Sequence, residues 1–416
     1  MQEIIKLSDT LFEASKSIRI LRNISWEAKV ENQFFADKAQ KLPTVVYPKV
    51  DVSETYSLLK KAKKLVPKHD LVSDWALEII RDLEEGAHLL ESLGTKQFYY
   101  HSDQLYGSPQ GALLDGKSTS LDLANHFEEM YDNLDGLDMG APPDACILAD
   151  EVVSQIDVAV KKFFGDKAPE VYIDNSIASN AIAGRKRIRI RGEACFSDKD
   201  IDQLIHHEAY IHVATSINGK NQDKIKILGA AHPGTTKTQE GLAVFAEFIT
   251  GTIDLDRLRR LSDRILAIQM AVEGADFIEV YRYYLERTNS EDQAFESTRR
   301  VFRGGLITGG APFTKDIVYL DGLIRVHNFL RIMVAEGRAD LMDLLFVGKL
   351  DIEDIPVLSM FEREGLINKP EFLPPWMKDT RFLVTYLAYS SFLNSVKLTK
   401  IKEHYREMLE DSFDNG

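Results

Sequence analysis

The sequence is poor in cysteine. Its only two cysteines, Cys146 and Cys195, occur singly among 416 residues, and no C-x-x-C pair exists. A thiolate metal site and a disulfide framework are therefore both disfavoured, and the low cysteine content is typical of a reducing compartment. We predict a cytoplasmic protein.

The chain also lacks an excess of positive charge and any long apolar run. Lys and Arg number 51 against 65 Asp and Glu, a net charge of −14 at pH 7, so a generic affinity for nucleic acid or for an anionic membrane is not expected. No uncharged apolar stretch reaches the roughly 18 residues of a membrane span. Residues 1–25 interleave charged with apolar residues, unlike a signal peptide. We predict neither a nucleic acid nor a membrane as a partner, and the sequence does not indicate the oligomeric state.

Helical periodicity is what the chain has in abundance. The stretch 72–94 is the clearest case, with Leu, Ile and Trp three and four residues apart. Residues 98–111, FYYHSDQLYGSPQG, are predicted as a loop or turn instead. The stretch MGAPPDA at 139–145 is the clearest break. We take it as a soft boundary between a helical N-terminal part, 1–150, and a second part, 151–416, which could also form one integrated unit.

Two short stretches have β-strand character. EVYID at 170–174 and KRIRIRG at 186–192 alternate in polarity or are rich in strand-forming residues, and a turn-bearing connection separates them. We expect them to pair in a small sheet. The arginine-rich strand is either an edge strand along which a peptide lies, or an ordinary strand with exposed arginines. The predicted fold class is α+β, mostly α-helical.

One predicted helix carries an unusual cluster of histidines. Residues 196–219 are predicted as a single helix with Ser197 as its N-cap. Within it, His207, Glu208 and His212 form H-E-x-x-x-H. A five-residue step turns an α-helix by about 140°, which would point the two imidazoles apart, whereas one π-helical turn brings the step back to within about 50°. The spacing therefore predicts a π-bulge and a shared metal ion; the alternative is a helix that happens to be rich in histidine.

A glutamate downstream completes a ligand set. Glu240 lies 28 residues beyond His212 in TQEGLA, at the start of the next predicted helix, for which Thr238 is the expected N-cap. Gly241 beside it would let that helix approach the histidine helix closely. Two histidines and a carboxylate are typical ligands of a catalytic zinc, which keeps a fourth position open.

Other polar residues near these ligands have predicted roles. Glu208, next to the first ligand but not bound, is the expected general base that takes a proton from zinc-bound water. Glu247, seven positions after Glu240 on the same helix face, either orients a ligand imidazole or lies on the surface. His206 and His232 are interpreted as neighbours of the site and not as ligands.

The motifs resemble those of a known family. LIHHEAYIH, TQEGLA and FRGG...FTKDIVYLDG resemble the QEGLA-motif family, named in bacteria as flavohemoglobin expression-modulating proteins and similar to the microtubule-associated tyrosine carboxypeptidases. The resemblance implies a zincin-like metallopeptidase domain with one Zn2+ per chain, held by His207, His212 and Glu240, and with Glu208 as base. Relatives commonly read H-E-I-G-T-H where this chain has H-E-A-Y-I-H. A preference for tubulin-like substrates therefore does not carry over, and the larger Tyr210 could reshape the pocket.

The glycine-rich segment 302–316 adds candidates for substrate binding. A carboxypeptidase needs a cation for the terminal carboxylate of its substrate, and Arg303 or Lys315 would serve. Tyr319 could donate a hydrogen bond to the developing oxyanion. In the alternative interpretation, Lys315 and Asp316 cap a helix and the tyrosine packs in the core.

The predicted function is that of a zinc-dependent carboxypeptidase that removes a C-terminal residue from a peptide or protein. Because the histidines must be neutral to bind zinc, metal occupancy and activity are expected to fall in acid. An aminopeptidase or endopeptidase on the same site is one alternative. A regulatory binding protein with a structural or vestigial metal site is another, although a structural site would need no general base such as Glu208.

Overall fold

Helices dominate the computed structural model, which describes residues 1–68, 70–134, 146–175, 177, 180–288 and 290–414. The helices that precede the sheet are α1 (Gln2–Ser15), α2 (Ile20–Asn23), α3 (Ala28–Ala36), α4 (Ser53–Leu65), α5 (Asp70–Glu91), α6 (Lys96–Tyr106), α7 (Ser120–Asn133) and α8 (Ala149–Phe164). The strands are β1 (Glu170–Ile173), β2 (Ala181–Gly184) and β3 (Arg187–Ile190). The predicted mostly helical α+β class is confirmed.

A second series of helices follows the sheet. It consists of α9 (Asp198–Leu204), a π-helix (Ile205–Val213), α10 (Ala214–Lys220), α11 (Thr236–Ile249), α12 (Leu255–Val272), α13 (Phe277–Thr288), α14 (Glu291–Phe302), α15 (Val318–Ala335), α16 (Ile355–Arg363), α17 (Pro375–Lys378), α18 (Thr380–Leu393) and α19 (Leu398–Asp414). None of the helices in the described ranges is long and apolar enough to cross a membrane.

The N-terminal helices confirm one prediction and correct another. α5 covers most of the predicted helix over 72–94. The predicted loop over 98–111 is wrong in its first part, where α6 runs to Tyr106. Phe98, Leu105 and Tyr106 of α6 are buried, and the burial of these large side chains outweighs the polar residues between them. The helix ends at Gly107, whose φ of 84° suits glycine.

The small sheet contains the two predicted strands and a third one. β1 pairs with β3 in parallel, as the prediction of a common sheet requires, and β2 pairs with the other side of β3 in antiparallel orientation. β2 has the sequence AIAG, which is too short and too small-sided to stand out from the connection in which it lies. Because β3 is central, the interpretation of the arginine-rich strand as an edge strand is wrong.

The buried side chains of the described residues form one large core and two smaller ones. The largest draws on α1, α4 and α5 as well as on α11, α15 and α16. A second core joins α8, the sheet and the histidine helix, and a third joins α3 with α12, α13 and α14. The predicted break at 139–145 lies outside the described residues, and the division into 1–150 and 151–416 stays a prediction.

The two cysteines are paired, against the sequence expectation. Cys146 and Cys195 form a disulfide with their Cα atoms 4.8 Å apart. An isolated antiparallel bridge between Ile147 and Phe196 brings them together, a contact between segments 49 residues apart that the sequence does not reveal. The low cysteine content therefore no longer argues for a reducing compartment.

Replacing both cysteines with serine is expected to destabilise the oxidised protein by about 2–4 kcal/mol, because the bond closes a long loop in the unfolded chain. Denaturant unfolding measures the difference, and reduced wild-type protein should unfold at the same midpoint as the variant. Two reactive thiols in the unreduced wild-type protein would contradict the pairing.

Candidate metal centre

The histidine helix is one continuous helical run with a π-helical centre. Ser197 caps it, since its Oγ accepts a hydrogen bond from the Asp200 amide at 3.2 Å, and Asp200 Oδ2 accepts one from the Ser197 amide at 2.9 Å. The chain then passes from α9 through the π-helix into α10. The predicted N-cap and the predicted π-helical turn are both confirmed.

The π-helix places the two motif histidines side by side. Their ring centroids lie 5.0 Å apart. His207 Nε2 lies 3.8 Å and His212 Nε2 lies 3.6 Å from Oε2 of Glu240, and the three donor atoms all lie within 4.8 Å of one another. Ligand atoms around a tetrahedral ion with bonds of about 2.0–2.2 Å are about 3.3–3.6 Å apart. These three side chains can therefore hold one metal ion with little rearrangement.

Glu240 is supplied by α11, which starts earlier than predicted. α11 begins at Thr236, directly after the 3-10 turn Pro233–Thr235. Thr238 therefore lies inside the helix, and its hydroxyl donates to Asp351 Oδ2 at 3.2 Å. The prediction of Thr238 as the N-cap is wrong, because the proline-led turn begins the helix before it.

Close packing on another helix fixes the position of Glu240. A Cβ atom built on Gly322 of α15 would lie 2.9 Å from Gly241 Cα, which is closer than a side chain tolerates. The expectation that Gly241 lets α11 approach the histidine helix is therefore wrong, since its close neighbour is α15. The two glycines let α11 and α15 cross in backbone contact, and Glu240 lies directly beside this crossing.

Glu247 is fully buried behind His207. Its Oε1 accepts a hydrogen bond from His207 Nδ1 at 2.6 Å, and Arg257 donates to its two oxygens at 2.9 and 3.0 Å. The surface alternative for this residue is excluded. A carboxylate that holds Nδ1–H leaves Nε2 of the same ring to face the metal position.

Hydrogen bonds and neighbouring charges set the protonation of this group. Burial lowers the pKa of His207, but the nearby carboxylate of Glu240 and the hydrogen bond to Glu247 outweigh burial and raise the pKa to about 10. Burial raises the pKa of Glu247, yet the charge of Arg257 and the hydrogen bond from His207 bring it far below its ordinary value. A metal ion that binds His207 must displace a proton, so acid should weaken metal binding.

Lys315, a predicted anchor for substrate, contacts Glu240. Its Nζ lies 3.2 Å from Oε1 of Glu240, whereas the other oxygen of that carboxylate faces the histidines. Its ammonium also lies 5.4 Å from the ring centre of Tyr319. Lys315 is buried, and a substrate carboxylate would have to compete with Glu240 for its ammonium group.

Tyr319 lies among cations at the start of α15. Its side chain is buried, and Arg300 Nη2 donates to its hydroxyl oxygen at 3.5 Å. A hydroxyl that accepts this hydrogen bond keeps its own proton for another acceptor. Asp316 accepts hydrogen bonds from Arg300 at 2.6 and 2.9 Å. The N-cap position of α15 is Ile317, so Asp316 does not cap this helix.

Glu208 follows His207 on the π-helix and is half-buried. Within the described part of the chain, no hydrogen bond or ion pair to its carboxylate is found, although its negative charge contributes to the raised pKa of His207. The carboxylate of Glu208 therefore lies beside His207 with no fixed partner among the described residues.

Comparison with known proteins then identifies the family. A family model described as microtubule-associated tyrosine carboxypeptidase matches residues 32–395. The chain belongs to the microtubule-associated tyrosine carboxypeptidase family. The expected similarity to this carboxypeptidase family is thereby confirmed. No curated protein matches the chain. A crystal structure of a candidate lipoprotein from Colwellia psychrerythraea is similar over 87% of this chain and 69% of that one, with 14% identity and a TM-score of 0.45.

Two arginines near the candidate site of this tyrosine carboxypeptidase family member, Arg257 and Arg264, were not identified from the sequence. Arg257 and Arg264 lie seven residues apart on α12, and the second lies 4.7 Å from the ring centre of Tyr319. Burial and the charge of Arg300 lower the pKa of Arg264. The carboxylate of Asp316 approaches its Nε only to 3.9 Å, which is beyond hydrogen-bonding distance. The first and last arginines of RLRRLSDR are seven residues apart, a spacing that places them on the same face of a helix, and this pattern could have indicated both residues from the sequence.

Arg303, the other predicted anchor, lies in the same cationic group. Its guanidinium lies 5.7 Å from the ring centre of Phe313, and its buried Nε has no hydrogen-bond partner among the described residues. Burial and the charge of Arg300 lower the pKa of Arg303 to about 10. This part of the site therefore has a surplus of positive charge, which favours an anion.

The tyrosine in the motif of this family member packs away from the metal position. The ring of Tyr210 lies 4.4 Å from that of Phe163 on α8 and 5.3 Å from that of His206. It belongs to the second core, so the larger side chain fills space on α8 and not around the ligands. His206 and His232 do not join the ligand cluster found among the described residues.

Proposed function

We propose that this protein is a zinc-dependent metallopeptidase that removes a C-terminal residue from a peptide or protein. Membership of the family suggests a carboxypeptidase-like activity. The observation that carries the proposal is the meeting of His207, His212 and Glu240 around one position, with Glu247 behind the first imidazole. Two histidines, a glutamate and a carboxylate that orients a histidine form a typical catalytic zinc site.

His207, His212 and Glu240 would hold the ion. A bound zinc ion supplies Lewis acidity. Lys315 would fix the oxygen of Glu240 that does not face the histidines, so we assign it to the support of a ligand and not to the anchoring of substrate. This assignment revises the sequence-based role of Lys315 and rests on its 3.2 Å contact with Glu240.

Glu208 would act as the general base. Its unpartnered carboxylate would accept a proton from the attacking water and then deliver it to the amine of the leaving residue, so that one group serves both proton transfers. Tyr319 would donate its free hydroxyl proton to the oxygen on which negative charge develops.

Arg264 and Arg303 would anchor the terminal carboxylate of the substrate. The guanidinium of Arg264 lies 4.7 Å from the ring centre of Tyr319, that of Arg303 lies 5.7 Å from the ring centre of Phe313, and among the described residues neither has the close carboxylate partner that Arg257 and Arg300 have. Burial increases the free energy gained when such a cation meets an anion. A free C-terminus is the anion that a carboxypeptidase must recognise, and the family name points to a terminal tyrosine.

The metal content of the purified protein tests the proposal. We expect about one zinc per chain by elemental mass spectrometry in the wild-type protein, and little in His212→Ala and Glu240→Ala, because each variant removes one of three ligands. His206→Ala is the matched control, since it removes a neighbouring histidine that packs against Tyr210. A wild-type protein without zinc, after zinc has been supplied and the excess dialysed away, would refute the metallopeptidase proposal.

A further inference from the structure

Two side-chain donors converge on one backbone carbonyl at the end of the π-helix. The carbonyl oxygen of His212 accepts hydrogen bonds from Ser216 Oγ at 2.6 Å and from Lys349 Nζ at 3.2 Å. The register of the helical hydrogen-bond ladder changes where a π-helix returns to an α-helix. Side chains thus hold the backbone of a metal ligand where the ladder is irregular.

The ammonium of Lys349 is buried, and it donates three hydrogen bonds. Besides the His212 carbonyl, it donates to Thr215 Oγ1 at 2.9 Å and to Gln239 Oε1 at 2.7 Å, so its three protons meet three neutral acceptors. No carboxylate among the described residues hydrogen-bonds to it. Burial of a cation without an ion-pair partner costs free energy, and neither the proposed chemistry nor the proposed anchoring of substrate uses this lysine.

The backbone around Lys349 is rigidly placed against α10. The Lys349 amide donates to the Leu228 carbonyl at 2.7 Å. Gly219 of α10 and Gly348 face each other, and a Cβ atom on Gly219 would lie 3.0 Å from Gly348 Cα. Only glycines allow this approach, so the 346–350 segment forms a fixed platform from which the lysine reaches the π-helix.

The same network reaches the helix that carries the third ligand. Gln239 precedes Glu240 on α11, and its Oε1 accepts hydrogen bonds from Thr215 Oγ1 at 2.8 Å as well as from Lys349. A single buried cluster therefore joins the His212 end of the π-helix to the residue next to Glu240.

We propose that Lys349, Gln239 and Thr215 form a clamp that positions two metal ligands, His212 and Glu240, relative to each other. The inference rests on the proposed function, because it assumes that these ligands bind zinc. It assigns a role to the glutamine of the QEGLA motif, as a positioning residue that acts through the buried lysine. Groups that support ligands in this indirect way commonly change metal affinity by about 10–100-fold.

Lys349→Met tests the clamp, since methionine keeps much of the side-chain volume and removes all three hydrogen bonds. We expect its zinc affinity, measured by competition with a chromogenic chelator, to fall by about 10–100-fold. Thr215→Val, a milder change that keeps the shape of the side chain, should lower the affinity several-fold and serves if Lys349→Met does not fold. The thermal stability of each zinc-free variant is measured in parallel.

Gln222→Leu is the matched control. Its side chain ties the same 346–350 segment to the end of α10, through a hydrogen bond to the Val347 carbonyl at 3.1 Å, and among the described residues no hydrogen bond joins it to His212. We expect Gln222→Leu to lower the stability of the zinc-free protein and to leave zinc affinity unchanged. If the clamp and control variants lose affinity equally, or if the clamp variants keep wild-type affinity, the inference is overturned while the proposed function stands. A wild-type protein that binds no zinc would overturn both.

Discussion

Glu208→Gln is expected to lower kcat/KM for peptide hydrolysis by about 10²–10⁴-fold, the usual contribution of general acid–base catalysis, while about one zinc per chain is retained. Glutamine has nearly the same shape as glutamate but cannot accept a proton at neutral pH. Because Glu208 is not one of the three converging side chains, its substitution should leave the ligands in place. The measurement pairs steady-state kinetics on peptides with free C-termini with elemental analysis of the same samples.

Asp202→Asn is the matched control for Glu208→Gln. It removes one negative charge from the same helical run, at an exposed position on α9. We expect this variant to keep its activity. If Glu208→Gln hydrolyses peptides as fast as the wild-type protein, then another group is the base. If the wild-type protein binds zinc but hydrolyses no peptide, the alternative of a structural metal gains support.

Much of the candidate site could be predicted because its ligands lie on local patterns. The five-residue spacing between His207 and His212 is incompatible with a shared metal on an α-helix, and this conflict alone was enough to predict the π-helix. Ser197 followed by Asp200 is a capping box that is visible in the sequence. In both cases the interaction joins residues less than two turns apart, so the sequence contains the whole argument.

The groups around the ligands could not be predicted, because they come from distant parts of the chain. Lys349 is 137 residues from His212, and no spacing rule relates the two. The pairing of Cys146 with Cys195 and the crossing of Gly241 with Gly322 depend in the same way on the packing of whole elements. β2 was missed for another reason, since a four-residue strand of small residues acquires its identity only from its pairing with β3.

Glu247→Leu is expected to destabilise the zinc-free protein by about 3–5 kcal/mol, the typical cost of breaking a buried ion pair by removing one partner. Glu247 is fully buried, and its loss would leave the guanidinium of Arg257 and the Nδ1–H of His207 without their acceptor. Zinc affinity should also fall by about 10–100-fold, because the imidazole loses the group that orients it. Denaturant unfolding and chelator competition measure the two effects separately.

The double variant Glu247→Leu/Arg257→Met separates stability from metal binding. Removal of both charges leaves no unpaired ion in the core, so the free energy of unfolding should recover most of the loss caused by Glu247→Leu alone. The Nδ1–H of His207 still has no carboxylate acceptor in this protein, so zinc affinity should remain low. If zinc affinity recovers together with stability, Glu247 acts only on the packing of the core; if it stays low, the carboxylate acts on the metal ligand itself.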